Sequence, residues 1–291
     1  MATPALPTWR TLVLTVLAML AFAANSLLCR LALQQGAIDP ASFGSVRLAS
    51  GALTLMAVLA LRRRPDATAP TARRDWLAAA MLWLYVACFS FAYVNLSAGT
   101  GALVLFGAVQ LTMFGVGLQR GERFTALAWC GFALAVAGLA ALVWPGVTAP
   151  PGAGTVLMAT AGVAWGVYSL RGRTAGEPVA ATSGNFARAT PMALALSVAM
   201  LASVHLSTRG VVLAVLSGAL TSGIGYVIWY AALPGLNALR AATVQLSVPP
   251  LAAIGGVLLL SEALTLRLAG ASLAVLGGVA IVLFSRARTP R

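Results

Sequence analysis

The sequence predicts an all-α integral membrane protein of ten transmembrane helices, arranged as two inverted five-helix repeats. Three observations predict it. The 291 residues are 60% hydrophobic and only 9% charged, with a mean hydropathy of +0.92, well outside the composition of soluble globular domains. The apolar residues fall into ten runs of about twenty, the length a helix rising about 1.5 Å per residue needs to cross a bilayer core. The two halves of the chain also echo each other, as internal repeats do.

The ten runs span residues 9–31, 41–61, 76–97, 101–119, 124–144, 153–171, 181–204, 210–232, 237–260 and 267–285. Turn-forming residues separate them, at Gly36 to Pro40, Arg62 to Pro70, Gly99 to Gly101, Pro145 to Gly154, Gly172 to Pro178, and Pro234 with Gly235. None of these gaps holds a soluble domain. Arg10 leads into the first run without an A-x-A cleavage signature, so that run is expected to be a retained span.

Every basic residue is an arginine, and their distribution sets the orientation. With a cytoplasmic N-terminus, the inner side collects Arg10, Arg62, Arg63, Arg64, Arg73, Arg74, Arg120, Arg123, Arg171, Arg173, Arg240, Arg286, Arg288 and Arg291. The first three outer loops hold no arginine, and the later outer gaps show only Arg209 and Arg267. Both termini are therefore expected in the cytoplasm. The formal charge of +13 therefore reads as a topology signal rather than a nucleic-acid surface.

Gly131 to Gly138 reads GFALAVAG and Gly270 to Gly277 reads GASLAVLG, each after a Glu-x-x-Thr at Glu122 with Thr125 and Glu262 with Thr265. VQLT at Val109 to Thr112 echoes VQLS at Val244 to Ser247, and Arg47 and Arg188 lie at matching depths in spans 2 and 7. The expected division is 1–147 for the first repeat and 148–291 for the second. Five spans per copy insert the second upside down, which places a site at the midplane between the halves and permits alternating access.

These features resemble the drug/metabolite transporter superfamily, EamA type. The tail from Gly255 to Gly278, GGVLLLSEALTLRLAGASLAVLGG, carries most of the likeness, with Trp165-Gly166 in span 6 matching the family's W-G signature. Ala24-Asn25 stands in the first half where that signature would be repeated. Within the superfamily the chain is most similar to YddG-type exporters of aromatic amino acids. The resemblance implies an exporter of small neutral or aromatic amino acids and related metabolites, without cofactor or metal, working as a monomer or weak dimer among membrane lipids.

The residues supply candidates of their own. Polar side chains inside apolar runs need a polar neighbour or a cavity. Gln245 and Gln110, near the middle of spans 9 and 4, are expected to bond a substrate, the alternative being a helix-to-helix hydrogen bond. Asn25 in span 1 joins them. Trp165 and Tyr168 share one face of span 6, Tyr226, Trp229 and Tyr230 one of span 8, and Tyr85, Phe89 and Tyr93 one of span 3. Aromatic faces with polar tips suit amphipathic solutes. Trp165, Tyr85, Tyr168 and Tyr226 are read as cavity residues, whereas Trp229, Tyr230 and Tyr93, close to span ends, read as an interfacial belt.

Pro249 and Pro250 lack the amide hydrogens that would bond the carbonyls of Gln245 and Leu246, so span 9 should bend there as a hinge. Met113 and Phe114 follow Gln110 in span 4, so the bend belongs to one half only. Arg47 and Arg188, about 10 Å below the surface at roughly 1.5 Å per residue, either recognise a substrate carboxylate or bond the backbone ends of neighbouring helices. Their symmetric placement favours the scaffold role. Arg30 reads as an interface residue, and Glu122 and Glu262 as caps or partners of Arg123 and Arg267. Gly277 and Gly278 read as packing positions of span 10.

Several chemistries are disfavoured. Cys29, Cys88 and Cys130 lie inside apolar runs without metal-ligand spacing, and His205 is the one histidine. An intramembrane enzyme lacks a carboxylate pair or a serine beside a base. No Asp or Glu stands mid-span, the usual place for a coupling proton site, so a gradient-driven facilitator is the simpler expectation. An exporter of drugs or lipid-like solutes is the alternative on the same fold.

Overall fold

The computed structural model describes residues 8–62, 75–121, 124–146, 149–172, 177–236 and 238–286. Glu122, Arg123 and the arginine cluster at 63, 64, 73 and 74 lie outside them. The described chain is helical, with one isolated antiparallel bridge between Ile38 and Leu206.

The first half comprises α1 (Thr8–Gln34), α2 (Pro40–Arg62), α3 (Trp76–Tyr93), α4 (Ala98–Gln119) and α5 (Ala126–Val143). The second comprises α6 (Gly152–Gly172), α7 (Pro178–Ala199), α8 (Thr208–Val215), a π-helical stretch over Leu216–Ile224, α9 (Gly225–Ala232), α10 (Ala238–Gln245), α11 (Val248–Leu260) and α12 (Leu266–Arg286). Short polar side chains start many of these helices by accepting orphan amide hydrogens. Asp75 caps α3 through Ala78 N, Ser97 caps α4 through Thr100 N, and Ser207 caps α8 through Gly210 N. The repeat's two threonines do the same, Thr125 for α5 through Ala128 N and Thr265 for α12 through Leu268 N. Thus the threonine of Glu-x-x-Thr, not Glu262, caps the helix that follows.

Nine segments of the described chain are long and apolar enough to cross a membrane. α7 is 22 residues long but is not among them, because Asn185, Arg188 and several small polar residues dilute it. Two expected spans are interrupted. The eighth runs Thr208–Gly235 but widens into nine residues of π-helix at its centre. The ninth breaks at Leu246 and Ser247, where the turn is closed by Ser247 N and Oγ on the Val244 carbonyl. Pro249 and Pro250 stand in the first turn of α11, where a missing amide hydrogen costs no intrahelical bond. The prolines therefore start a new helix just past the break and do not kink a continuous one. α4 is unbroken over Ala98–Gln119.

Small residues bring the helices together. A Cβ on Gly131 would overlap the Gly278 carbonyl, one on Gly278 the Gly131 carbonyl, and one on Gly138 the Ala274 side chain, so α5 and α12 pack antiparallel. Gly277 faces open space, which leaves Gly278 alone to pack in span 10. Gly162 lies against Leu105 and Ala108, and Gly166 against Thr112, so α6 runs parallel to α4. Gly218 in the π-helix rests on the Arg47 carbonyl and Gly223 on Thr54. An added residue in a helical turn shifts the faces beyond it; here Ser217, Thr221 and Ser222 all reach polar side chains of α1 or α2.

Candidate functional site

A cavity of about 1230 Å³ runs into the bundle from the end where α2, α6 and α9 terminate and α3, α7 and α10 begin. At its mouth stand Asp75, Arg171 and Glu177, with Arg171 Nε 2.8 Å from Asp75 Oδ2. Glu177 accepts from Ala180 N at the start of α7. Partial burial pushes the Asp75 carboxyl up, but the Arg171 hydrogen bond, the amides of Ala78 and Leu77 and the charge of Arg171 outweigh it. The carboxyl is held below its ordinary value.

Aromatic rings wall the middle. Trp165 has its centroid 4.9 Å from Tyr85, 5.3 Å from Tyr168 and 5.6 Å from Tyr226, the last pair within 16° of parallel. Phe22 meets Tyr226 and Trp229 at 5.8 and 6.1 Å. Gln110 and Gln245 reach the same wall from α4 and α10.

The inner end is polar. Asn25 Oδ1 accepts from Ser217 at 2.7 Å and Thr221 at 3.3 Å. Tyr85 OH accepts from Arg47 Nη2 at 3.1 Å and, at the outer limit of 3.5 Å, from Asn25 Nδ2. Arg47 Nε donates to Ser222 Oγ at 3.3 Å. The guanidinium also lies 5.2 and 5.1 Å from the Tyr85 and Phe89 ring centres, cation–π distances that stabilise a cation away from water.

All seven residues expected to face a cavity, Gln245, Gln110, Trp165, Tyr85, Asn25, Tyr168 and Tyr226, line this one. Pro249 and Pro250 do not. The belt reading of three aromatics is corrected. Trp229 and Tyr230 line the cavity, with Tyr230 OH 2.8 Å from Thr182 Oγ1, and Tyr93 is fully buried against α4, donating to the Ala98 carbonyl at 3.3 Å. Distance from a span end gave no information on which way these side chains turn.

The arginines divide differently from their symmetric placement. Arg47 sits in the cavity wall and bonds side chains, not helix ends. Arg188 Nη2 donates to Asn185 Oδ1 at 2.8 Å, one step behind the wall. The helix-end role belongs to Arg30 and Arg267. Arg30 Nη1 donates to the Tyr93 and Val94 carbonyls at 2.9 and 2.8 Å, and Arg267 Nη1 to the Trp144 carbonyl at 2.7 Å, each a cation at a helix C-terminus. Glu262 pairs with Arg30 at 3.1 Å in place of Arg267.

Sequence reasoning missed Phe22, Thr182, Asn185, Thr221 and Ser222 in the wall. Gly218 and Gly223 bring the segment carrying the last two against α2, but nothing in the sequence marks the widened helix between them. Among the described residues no group of three or more histidine, cysteine or acidic side chains could hold a metal.

The profile of the EamA-like transporter family matches twice, over residues 9–144 and 152–284. A protein of Pseudomonas aeruginosa, Uncharacterized protein PA1977, is 56% identical over 281 residues, covering 97% of each chain. A solved crystal structure, described only as that of a protein, superposes with a TM-score of 0.66 over 98% of this chain and 100% of its own, at 19% identity. That last likeness is one of fold.

Proposed function

The chain belongs to the EamA-like transporter family, and from that premise we propose that it exports small neutral or aromatic amino acids and related metabolites by alternating access. One observation carries the substrate class. A cavity of about 1230 Å³ couples an aromatic wall, which takes an apolar body, to a hydrogen-bonded inner end at Asn25 and Tyr85, which orients a polar group. Gln110 and Gln245 add amide donors and acceptors on the way in. The aromatic wall is what favours YddG-type substrates over purely polar ones.

The family match in two parts supports two repeats, 1–147 and 148–291, of five alternating spans each, with α7 as the seventh. Alternation makes the second copy inverted. The described arginines Arg10, Arg62, Arg120, Arg171 and Arg240 stand at the mouth end, so the positive-inside rule sets that end, and both termini, in the cytoplasm of a bacterial inner membrane. This conformation is then inward-open, and rocking one half against the other exposes the cavity outside.

The test is uptake and counterflow of radiolabelled solutes in proteoliposomes, using a panel of neutral and aromatic amino acids beside larger apolar drugs. The expected result is saturable flux of aromatic amino acids, reduced about tenfold or more in Gln245→Ala by loss of a buried substrate hydrogen bond. Flux of the drugs alone would move the chain to the drug-exporter alternative. No saturable flux of any solute would overturn the reading.

A further inference from the structure

We propose that the inner end of the cavity is a subsite for the carboxylate of the carried solute, in which the Tyr85 hydroxyl donates the hydrogen bond and the Arg47 guanidinium supplies the charge behind it. The proposal rests on the transporter reading and names the group that its substrates must share.

Arg47 is 1% exposed, and its Nη1 has no hydrogen-bond partner. Its other nitrogens reach only the neutral hydroxyls of Ser222 and Tyr85. No carboxylate of the described chain approaches it. Asp39 bonds Ser42 N and His205 N, Asp75 bonds Arg171, Glu177 bonds Ala180 N, and Glu262 bonds Arg30 and Ala98 N, all at helix ends. A guanidinium buried without an anion is costly unless one is supplied from outside. The anion that can reach this depth is one that enters through the cavity.

Tyr85 is the point of contact. Its oxygen already accepts from Arg47 and from Asn25, so its own hydrogen needs a different acceptor, and no described residue provides one. Tyr85 lines the cavity. A hydroxyl whose oxygen is held by a cation is polarised into a stronger donor, matched to a carboxylate oxygen. Asn25 is fixed from behind by Ser217 and Thr221, which turns its amide nitrogen toward the same spot. Trp165, with its ring centre 4.9 Å from that of Tyr85, then places an apolar surface beside the carboxylate, which suits a monocarboxylate with an apolar or aromatic body.

The experiment pairs each amino acid of a neutral panel with its own amide, for example L-phenylalanine with L-phenylalaninamide. Binding is read at pH 7 by quenching of the protein's tryptophan fluorescence and by competition against counterflow in proteoliposomes. In the wild type the acid should bind at least about tenfold more tightly than its amide, the loss expected when a buried charge-assisted hydrogen bond is removed. Arg47→Gln should cut that ratio below about threefold, Tyr85→Phe should reduce it while keeping the ring, and Arg47→Lys should restore part of it. A purely structural arginine would change expression or thermal stability and leave the acid-to-amide ratio alone. Saturable flux with equal affinity for acid and amide in the wild type, or an undiminished ratio in Arg47→Gln, overturns the subsite and leaves the transporter reading standing. No saturable flux of any acid or amide overturns both. If Arg47→Gln does not fold, Tyr85→Phe still decides the matter: an acid-to-amide ratio there equal to that of the wild type overturns the subsite.

Discussion

Glu262 and Arg30 close the end of the bundle opposite the cavity mouth with one carboxylate. Oε1 lies 3.1 Å from Arg30 Nε, while Oε2 accepts from Ala98 N at 2.8 Å at the start of α4. The same arginine bonds the carbonyls that end α3. Helices α1, α3, α4 and the loop after α11 are thereby tied at a single point. Ser261, at φ 55°, turns the chain so that Glu262 folds back over Gly256. Both side chains are largely buried, 16% and 11% exposed, so removing one partner leaves a charge poorly solvated, a loss of about 3 kcal/mol. Glu262→Gln and Arg30→Gln should each lower the thermal stability of the protein, and the double variant should cost less than the sum. In proteoliposomes, single cysteines placed at this end should label faster with a membrane-impermeant maleimide in Glu262→Gln than in its parent. Equal labelling would show that the tie does not hold the end shut.

Gly278 and Gly277 make an internal control for helix packing. A Cβ at 278 meets the Gly131 carbonyl and the Ala135 backbone, whereas one at 277 meets nothing within 4 Å. Gly278→Ala should therefore separate α5 from α12 and destabilise by about 1–3 kcal/mol. Gly277→Ala should leave the melting temperature in detergent unchanged or slightly raised, since alanine favours helix. Similar melting of both variants would contradict the packing.

Much of this architecture could be read from the chain because a bilayer restricts the options. Apolar length fixed the helices to within a few residues, and each polar group deep in a run needed a polar neighbour or a cavity, which is why Asn25, Gln110, Gln245 and the polar-tipped rings of Tyr85 and Trp165 meet around one cavity. Direction around the helix axis was harder. Tyr93, Trp229 and Tyr230 lie near helix ends yet turn inward, and the π-helix over Leu216–Ile224 adds a register shift that no 3.6-residue pattern contains. Partners distant in sequence were harder still. Arg267 is the near neighbour of Glu262 in the chain, but Arg30, on α1, is its neighbour in space.

At the cavity mouth, Asp75 predicts a pH dependence with a definite sign. Its folded-state pKa is depressed, so its contribution is present above the unfolded value of about 3.9 and is lost as pH falls through the lower folded value. Arg171 is 43% exposed, which limits the ion pair, and with it the margin lost in an asparagine variant, to about 0–1 kcal/mol; the α3 cap itself is kept, since asparagine caps as well as aspartate. Asp75→Asn should melt below the wild type by a constant margin from pH 8 to about pH 5, and the two curves should converge on further acidification. A margin that widened in acid would contradict the sign.

The break between α10 and α11 makes a directional prediction about Pro249 and Pro250. Restoring their amide hydrogens in a Pro249→Ala, Pro250→Ala double variant supplies donors for the carbonyls of Gln245 and Leu246. Span 9 can then run through as one helix, at the expense of the Ser247–Val244 turn. Gln245, the last residue of α10 and part of the cavity wall, is the side chain whose direction such a change alters. Transport should fall by about tenfold, the cost of one lost buried hydrogen bond to the solute, while helical circular dichroism holds or rises slightly. Normal transport by the double variant would remove the hinge from the mechanism.

The energy source is the remaining question the charges address. All four described acidic residues sit at helix ends, and the buried cation of the cavity, Arg47, is an arginine, which does not release its proton in this pH range. The cavity therefore offers no carboxylate at mid-membrane to take up and release a coupling proton, the place where proton-driven carriers need one. On that ground we propose a facilitator running down the substrate gradient. Counterflow in proteoliposomes should persist when a protonophore collapses an imposed pH gradient, and net uptake should follow the solute gradient in either direction. Uptake against a solute gradient, driven by protons and abolished by the protonophore, would place the coupling group in a residue this arrangement assigns to structure, with Glu262 the first to substitute.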